Sequence, residues 1–254
     1  MYTLLPTFAE RLRRGVHYLW MLRVNDINDP PRNLILSSSD HSQAARFRRS
    51  EDQHLCVMSR ALVRLALSSH LPVVPGNWHF ARGPNGRPYV TAPKISPQIW
   101  FSVSHTPGLI ACLTTLSQEA GVDVERIDPL VDLNLLLDCV LSHRELESLG
   151  NCARDKRTKL FFKYWTLKEA YAKARGLGLG LPFHEIDFDI NRESKISVRF
   201  GPQICDDPHS WVFWNSQPSM RHSVSVSIRN DCSMGCNIVS QIVRFDEDGL
   251  ALAA

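Results

Sequence analysis

Two long helical segments, each followed by several short strands, constrain the fold of this chain more than any other feature. Apolar residues recur at helical spacing from about 51 to 70, and a second helical segment runs from about 155 to 175, where Gly176 ends it. Short segments of strand-forming residues outnumber the helices that could connect parallel strands. The sequence therefore predicts an α+β fold with mostly antiparallel sheets.

The individual elements are predicted from periodicity and turn residues. Ser50 and Gln53 have the spacing of a capping box at the start of the first long helix. A loop is expected over 25–32, and the tail from Asp246 is expected to fray. Shorter helices are predicted over 133–140 and 142–149, and strands over 16–24, 78–80, 88–90, 99–104, 109–116, 121–125, 186–190, 196–200, 211–214 and 223–228.

The two halves of the chain resemble each other. Besides the shared order of elements, Phe101-Ser-Val-Ser-His105 is similar to His222-Ser-Val-Ser-Val226. A length of 254 residues accommodates two such halves. We expect two similar subdomains in one chain, a pseudodimer, joined within 120–135 and divided as 1–125 and 126–254.

Composition narrows the classes of partner and compartment. Lys and Arg number 29 against 26 Asp and Glu, a net charge of +3, so nucleic acid is not implied and an anion site must come from local clustering. No apolar segment has the length of a signal peptide core or a membrane span. The seven cysteines are scattered, without metal-site spacing. A cytoplasmic protein with reduced thiols is expected.

Asp123 and Glu125 form an acidic pair in the strand predicted over 121–125. Because side chains alternate along a strand, both carboxylates point the same way while Val122 and Val124 point into the core. Two carboxylates on one face repel, so the pair needs a cation, and oxygen ligands suit Mg²⁺ or Mn²⁺. A solvated face of an edge strand is the alternative explanation.

Trp165, Glu169 and Lys173 recur at intervals of four along the second long helix, and so lie on one helix face. An exposed Glu–Lys pair is one explanation. The same face carries Trp165 and Ala172, however, which favours packing over contact with water. A Glu and a Lys on a packing face are consistent with a carboxylate that completes a metal site beside a cation that binds phosphate.

Basic residues and a histidine collect near predicted strand ends and turns. Each alone is explained as a solvated charge or a turn residue. Together they offer donors to an anionic ligand, and with so low a net charge they suit a compact phosphate-rich molecule better than a long polyanion. The basic residues are Arg46, Arg48, Arg49, Arg82 and Arg87. Gly86 belongs to the turn between the last two, and Ser104 precedes His105 at the end of a strand.

Four motifs, spread over roughly residues 36–190, carry a family resemblance. The chain resembles the 4′-phosphopantetheinyl transferases of the surfactin-synthetase type, the larger pseudodimeric class. The last two motifs are the most specific, and all four occur in the family's order. They are Leu36-Ser37 through Arg46-Phe47 with Arg60 and Arg64 in the helix that follows; Gly86-Arg87-Pro88 with Phe101-Ser-Val-Ser-His105; Gly121-Val-Asp-Val-Glu125; and Trp165-Thr-Leu-Lys-Glu-Ala-Tyr-Ala-Lys173 with Gly176.

The resemblance implies a reaction and a location for it. The enzyme would transfer the 4′-phosphopantetheine arm of coenzyme A to a serine of an apo acyl or peptidyl carrier protein, and would release adenosine 3′,5′-bisphosphate. The active site would lie in the cleft between the subdomains. Residues 1–125 would form the coenzyme A side, and residues 126–254 would contribute the catalytic helix over 155–175.

The resemblance also implies roles for individual residues. Asp123, Glu125 and Glu169 would hold Mg²⁺ against the pyrophosphate. Glu169 would act as the base for the carrier serine, directly or through water, and Lys173 would bind the transferring phosphate. Asp123, Glu169 and Lys173 are thus the implied catalytic residues. The implied coenzyme A contacts are Ser104 and His105 at the phosphates, Arg82, Gly86 and Arg87 at the adenine and 3′-phosphate end, and Arg46 nearby.

The sequence departs from the family pattern in two places. Gly86-Arg87-Pro88 stands where the family often has Gly-Lys-Pro, so the charge is kept on a forked guanidinium. The stretch 40–45 contains none of the lysines that precede the Arg-Phe motif in some members, and Arg46 or Arg48 would substitute for them.

The implied partner is an acidic carrier protein, and the enzyme is expected to act as a monomer without membrane or nucleic-acid partners. Leu146 and Leu149 either add apolar contact to the carrier or pack in the core. Two alternatives stay open: a catalytically silent coenzyme A-binding protein, and a small basic nucleic-acid-binding protein. The candidate carrier contacts are Arg144, Arg154, Lys156 and Arg157.

Overall fold

The structure is a computed structural model that describes residues 2–3, 15–24, 36–83, 85–128, 136–191, 195–230, 236–246 and 249–252. The loop predicted over 25–32, the first part of the helix predicted over 133–140, and Cys232 lie outside these residues. The chain divides into two compact units, Met1–Gln118 with Met234–Ala254 and Glu119–Ser233.

Helices and strands are numbered here in chain order. The helices are α1 (Ser38–Ala44), α2 (Ser50–Ser68), α3 (Leu137–Val140), α4 (His143–Gly150) and α5 (Arg154–Arg175). The strands are β1 (Tyr2–Thr3), β2 (Val16–Arg23), β3 (His79–Arg82), β4 (Pro88–Ala92), β5 (Ile95–Ser96), β6 (Trp100–Thr106), β7 (Leu109–Thr115), β8 (Ala120–Arg126), β9 (Ile186–Ile190), β10 (Ile196–Phe200), β11 (Trp211–Ser219), β12 (His222–Arg229), β13 (Asn237–Asp246) and β14 (Gly249–Leu252).

The first unit is a five-stranded sheet with α2 packed against it. The strand order is β14-β13-β2-β7-β6, in which β13 pairs with β2 in parallel and the other neighbours are antiparallel. Apolar residues of α2 such as Met58 and Leu62 share a core cluster with Trp20 and Ile110 of the sheet. Beside it, β3 and β4 form an antiparallel hairpin.

The start of α2 differs from the sequence prediction. Arg49 is the N-cap and makes no side-chain capping bond, because Ser50 is already the first helical residue. The amide Nε2 of Gln53 instead donates to the carbonyl oxygen of Phe47 at 2.8 Å. The predicted Ser50–Gln53 capping box is therefore wrong. A capping box does form one helix earlier, where Ser37 and Asp40 begin α1.

The second unit places α5 across a small antiparallel sheet. The strand order is β11-β12-β8, and a separate antiparallel hairpin is formed by β9 and β10. Helix α5 packs on β8 and β12. A Cβ atom on Gly121 would lie 2.1 Å from the carbonyl oxygen of Ala170 and 2.6 Å from the amide nitrogen of Ala174. Only glycine permits so close an approach of strand and helix.

A buried ion pair joins α5 to α4. Lys168 Nζ lies 2.5 Å from Glu145 Oε2, and both side chains are fully buried. Lys168 also donates to the carbonyl oxygens of Val140 and Phe183 at 2.7 and 2.8 Å. Glu145 accepts from the amides of Ser142 and Phe188, each at 2.8 Å. The two charges are thus surrounded by hydrogen-bonding partners that offset their loss of water.

The structure confirms the predicted α+β class and the mostly antiparallel sheets. The predicted helix over 155–175 matches α5, and the predicted strands over 186–190 and 196–200 match β9 and β10. The sequence predictions missed one helix and four strands: α1, β1, β5, β13 and β14. The tail was expected to fray from Asp246, yet β14 pairs with β13 through residues such as Leu250 and Phe245.

The observed division of the chain differs from the predicted one, 1–125 and 126–254, at two places. All of β8 belongs to the second unit, because β8 pairs with β12. The last segment returns to the first unit, because β13 pairs with β2. Within the described ranges, no helix has the length and apolar character needed to cross a membrane. The described cysteines are free thiols.

Candidate functional site

The two carboxylates of β8 lie on the side of the strand that faces α5. In the antiparallel register, Asp123 is opposite Ser225 and Glu125 is opposite Ser223. Residues opposite each other share a face, and Gly121, two residues earlier, meets the backbone of α5. Asp123 is only 3% exposed. The alternative of a solvated edge-strand face is therefore wrong for Asp123, although β8 is an edge strand.

Helix α5 brings a cation and an indole to these carboxylates. Lys173 Nζ donates to Asp123 Oδ1 at 2.6 Å. Two turns earlier on the same helix face, Trp165 Nε1 donates to Glu125 Oε1 at 3.4 Å. Trp165, Glu169 and Lys173 are each partly buried. The predicted packing of this helix face is confirmed, and the face packs on the acidic strand.

Asp123, Glu125 and Glu169, here called the acidic cluster, lie near enough for their charges to act on one another. Burial, followed by the charge of Asp123, raises the pKa of Glu125 to about 7, and Glu169 adds to the increase. Burial and then Asp123 also raise the pKa of Glu169. Lys173 lowers the pKa of both glutamates. The cluster therefore holds excess negative charge that one lysine offsets in part.

The donor chemistry of this cluster suits a hard divalent cation, because all three acidic groups are carboxylates. The described residues nevertheless include no group of three His, Cys, Asp or Glu side chains in an arrangement that could hold a metal ion. In this structure Lys173 supplies the positive charge in contact with Asp123.

The first unit contains a cavity of about 510 Å³ that gathers several predicted anion-binding residues. Arg46 follows α1, Arg82 ends β3, and His105 lies near the end of β6; all three line the cavity. Phe80 and Phe101 also line it, with ring centroids 5.3 Å apart. The cavity thus joins cationic groups to an aromatic wall, a combination that fits a ligand with phosphate and ring portions.

The hairpin of β3 and β4 holds Arg82 in place. Arg82 Nη1 donates to the carbonyl oxygen of Gly86 at 2.9 Å. Gly86 has a φ of 78°, a value that favours glycine, and its amide donates to Gly83 O at 2.9 Å. The predicted Gly86 thus contributes through the turn that presents Arg82.

Five residues of the predicted anion-binding set are not among the residues that line the cavity: Arg48, Arg49, Gly86, Arg87 and Ser104. On β6, Phe101, Val103 and His105 line the cavity, and Ser104 alternates with them. The Ser104 side chain therefore points to the opposite face of the sheet, where it is buried. Pro88, the neighbour of Arg87, does line the cavity.

Arg60 and Arg64 have different positions around the same cavity. Arg60 lines it and donates to Asp40 Oδ1 at 3.3 Å and to Gln43 Oε1. Arg64 is 1% exposed, pairs with Asp40 at 2.5 Å and lies over the ring of Phe80 with its Cζ 5.2 Å from the centroid. Arg64 is thus a structural support behind the aromatic wall.

Sequence reasoning missed several of these residues. Gln43 lines the cavity and was not singled out, although it precedes Arg46 by three residues. Arg60 and Phe47 also line it; both belong to the first motif, but no binding role was assigned to them. Trp165 was placed on the right face, but its bond to Glu125 required the register of α5 on β8.

Comparison with known proteins identifies the family. The 4′-phosphopantetheinyl transferase superfamily model matches residues 119–227, and the model "4′-phosphopantetheinyl transferase, N-terminal" matches residues 33–117. The chain is 30% identical over 187 residues to the 4′-phosphopantetheinyl transferase HetI of Nostoc sp., with 73% of this chain and 78% of the relative covered. It is 31% identical over 203 residues to a putative 4′-phosphopantetheinyl transferase of Synechocystis sp., with 79% of each covered.

A more distant relative, the 4′-phosphopantetheinyl transferase Sfp of Bacillus subtilis, is 26% identical over 163 residues, with 64% of this chain and 70% of the relative covered. The chain belongs to the 4′-phosphopantetheinyl transferase superfamily, and it is an enzyme of that class. The family resemblance inferred from the four motifs is confirmed.

Proposed function

We propose that the chain transfers the 4′-phosphopantetheine moiety of coenzyme A to a serine of an apo acyl or peptidyl carrier protein, with Mg²⁺ bound and adenosine 3′,5′-bisphosphate released. One observation carries this proposal: β8 and α5 bring Asp123, Glu125, Glu169 and Lys173 into one electrostatically coupled cluster. Transfer of a phosphoryl-type group depends mainly on positioning and charge stabilisation, and such a cluster supplies both.

In the proposed reaction the serine oxygen attacks the phosphorus that carries the pantetheine arm. The bond from that phosphorus to the bridging oxygen of the pyrophosphate breaks, and the nucleotide leaves with that oxygen. The serine proton passes to a base, and Glu169 is the proposed base. Burial raises the pKa of Glu169, which makes its carboxylate a stronger proton acceptor than an exposed glutamate.

Lys173 is proposed to stabilise negative charge on the transferring phosphate. Its ammonium contacts Asp123 and its side chain is 32% exposed, so it can approach a ligand without leaving the vicinity of Asp123. A fixed cation at this place opposes the charge that develops on the phosphate oxygens.

Asp123, Glu125 and Glu169 are the proposed ligands of Mg²⁺, with Mn²⁺ as an alternative. Burial, followed by the negative charge of Asp123, raises the pKa of Glu125 to about 7, and a divalent cation would relieve the repulsion between these carboxylates. When bound, the metal would supply Lewis-acid stabilisation of the pyrophosphate.

The cavity of the first unit is the proposed site for the phosphates and the adenine of coenzyme A. Arg46, Arg82 and His105 would bind phosphate, and the rings of Phe80 and Phe101 would offer apolar contact. Roles for Ser104, Gly86 and Arg87 in direct contact with coenzyme A stay predictions.

The proposed carrier contact is the basic surface of α4 and the start of α5. Arg144, Arg154, Lys156 and Arg157 are all exposed there, which suits an acidic partner. Leu149 is 5% exposed and belongs to the core cluster, and Leu146 packs against that cluster, so both contribute to packing. A monomeric state and a cytoplasmic location stay predictions.

The test is a transfer assay with purified protein, coenzyme A, Mg²⁺ and a panel of fatty-acid, polyketide and peptide-synthase apo carriers, read by mass spectrometry. We expect at least one carrier to gain the mass of phosphopantetheine, and a chelator to abolish the gain. Tight binding of coenzyme A without any mass gain would identify a catalytically silent binding protein instead.

A further inference from the structure

A network of buried hydroxyl groups lies beneath α5, next to the acidic cluster. Thr166, Ser223 and Ser225 are each fully buried. Thr166 Oγ1 lies 2.8 Å from Ser225 Oγ and 3.1 Å from Ser223 Oγ. It lies 2.9 Å from the carbonyl oxygen of Phe162, one turn earlier in its own helix. The network therefore links α5 directly to β12.

The hydrogen bonds of this network are consistent with one assignment of donors and acceptors. Asn215 Nδ2, on β11, lies within hydrogen-bond distance of Ser223 Oγ (3.1 Å), Ser225 Oγ (3.0 Å) and the Val224 carbonyl oxygen (3.0 Å), and its two protons are shared among these acceptors. The two serines can then donate to Thr166, whose own proton goes to the Phe162 carbonyl. One donor and two acceptor positions of the Thr166 hydroxyl are thereby all used. Such a fully satisfied buried network holds its members in one arrangement.

The two serines of the network lie opposite the two carboxylate residues of β8. Ser225 is paired with Asp123 and Ser223 with Glu125 on the neighbouring strand. On the helix, Thr166 precedes Glu169 by one turn and Lys173 by two turns, so all three lie along one stripe of α5. A shift of the helix at Thr166 therefore displaces Glu169 and Lys173 relative to Asp123.

Two other kinds of contact join this part of α5 to β8. Lys173 and Trp165 bond Asp123 and Glu125 through long side chains, and small residues make the close backbone contacts. Gly121 meets the backbone at Ala170 and Ala174. Such contacts let the helix approach closely, but they are non-directional and do not fix its position along the strand. Hydrogen bonds are directional. The network makes them through the short side chains of Thr166, Ser223 and Ser225, so it can set the position of the helix backbone more closely than the long side chains of Lys173 and Trp165.

We propose that Thr166 is a positioning residue for phosphopantetheinyl transfer: its hydroxyl, held by Ser223 and Ser225, fixes α5 on the sheet so that the acidic cluster and Lys173 stand in reacting geometry. This inference rests on the proposed function. It assigns Thr166 no contact with substrate; the residue acts through Glu169 and Lys173.

The test compares Thr166→Val, which keeps the shape and removes the hydroxyl, with Thr166→Ser, which keeps the hydroxyl. We expect Thr166→Val to lower kcat by about tenfold or more, because misplacement of a catalytic group by about 1 Å costs on the order of 100-fold. The KM for coenzyme A should change less than kcat, and Thr166→Ser should recover most of the rate. A Thr166→Val enzyme with near-normal kcat, or a Thr166→Ser enzyme as slow as Thr166→Val, overturns the proposal.

Thr114→Val is the matched control, because Thr114 is also fully buried and hydrogen-bonded, to His70 and Trp20 in the first unit. It should lower stability without lowering kcat. An equal loss of kcat in this control would show a general effect of destabilisation and would overturn the positioning role.

A second measurement needs no transfer activity and so separates this inference from the proposed function. The indole N–H of Trp165 bonds Glu125, and its NMR resonance can be assigned by its loss in Trp165→Phe. We expect the resonance to shift in Thr166→Val and to return in Thr166→Ser; an unmoved resonance overturns the proposal. If Thr166→Val does not fold, Ser225→Ala removes the shorter bond, and the same resonance decides.

Discussion

Lys173 and Asp123 form an ion pair with 2.6 Å between Nζ and Oδ1, and they lie 50 positions apart in the sequence. The pair joins the last turns of α5 to β8. Asp123 is nearly fully buried, whereas Lys173 keeps partial access to solvent. The carboxylate is thus shielded from solvent, and the lysine side chain stays partly exposed.

Lys173→Met should remove most of the transfer activity. The substitution keeps an unbranched side chain one atom shorter and removes the cation that offsets three carboxylates. We expect kcat to fall on the order of 100-fold, as for loss of one group that stabilises developing charge. Steady-state kinetics with coenzyme A and an apo carrier measures the effect. Lys159→Met, on the same helix, is the control, and equal rates for the two variants would disprove the role of Lys173.

Gly121→Ala should destabilise the second unit. The added Cβ would lie 2.1 Å from the carbonyl oxygen of Ala170, so α5 must move away from β8. We expect a loss of about 1–3 kcal/mol or more in the free energy of unfolding, the usual cost of an overpacked site. Urea denaturation measures it. Gly150→Ala is the control, because no atom lies within 4 Å of its added Cβ, and a Gly121→Ala protein as stable as that control would contradict the close approach.

Lys168→Met should be far more destabilising than loss of an exposed ion pair. Glu145 would stay buried without its cation, at a cost of roughly 3–5 kcal/mol. Adding Glu145→Gln should recover part of that loss, which a double-mutant cycle in urea measures. Glu147→Gln is the control, because the His143–Glu147 pair is exposed, and its effect should stay within about 0.5 kcal/mol. Equal effects of Lys168→Met and Glu147→Gln would refute the buried pair.

Stability should fall in mild acid because of two buried histidines. Burial lowers the pKa of His17 to about 4 and that of His70 to about 3, from 6.5. The unfolded chain therefore binds more protons below pH 6.5, and stability decreases as the pH falls towards the folded-state pKa. For His17 the free energy of unfolding falls by about 3 kcal/mol in all, because each unit of pKa difference between the folded and unfolded states is worth about 1.4 kcal/mol.

The raised pKa of Glu125 acts in the opposite direction, because it makes stability fall as the pH rises from 4.5 to about 7. The contribution of His17 is therefore measured as the difference between wild type and His17→Gln, by urea denaturation at about pH 7 and about pH 4.5. We expect His17→Gln to lose less stability in acid than wild type does. His41→Gln, at an exposed position, should keep the wild-type dependence, and parallel pH profiles for His17→Gln and wild type would reject the prediction.

His105→Ala should weaken coenzyme A binding more than it slows the chemical step. His105 lines the cavity with Arg46 and Arg82, outside the acidic cluster. We expect a rise of about tenfold in the Kd for coenzyme A, the range for loss of one charge-assisted hydrogen bond. Isothermal titration calorimetry measures this Kd. His79→Ala, exposed on β3 and outside the lining, is the control, and an unchanged Kd in His105→Ala would exclude His105 from the site.

The sequence predicted the elements of the second unit better than those of the first. Local signals predicted β9, β10 and α5 correctly. These signals are the alternation of apolar and polar residues over 186–190 and 196–200 and the length of the helical segment over 155–175. The placement of β13 beside β2 depends on a pairing between the two ends of the chain, which no local pattern encodes. For the same reason the boundary of the units differed from the predicted one.

The sequence predicted which residues form the acidic cluster, but it did not predict the contacts that those residues make. Alternation placed Asp123 and Glu125 together, and helical spacing placed Glu169 and Lys173 together. That Asp123 is buried follows from Gly121, whose missing side chain lets α5 cover the strand. Ser104 shows that neighbours in a motif need not share a site. It directly follows Val103, which lines the cavity, yet it lies on the opposite face of β6.

The central claim is that Glu169 belongs to one catalytic cluster with Asp123 and Lys173. The most direct measurement is the mass of an apo carrier after incubation with coenzyme A, Mg²⁺ and either wild type, Glu169→Gln or the exposed-site control Glu51→Gln. We predict that wild type and Glu51→Gln add phosphopantetheine at similar rates, while Glu169→Gln adds almost none and keeps the wild-type circular dichroism spectrum. Near-normal transfer by Glu169→Gln would contradict the account.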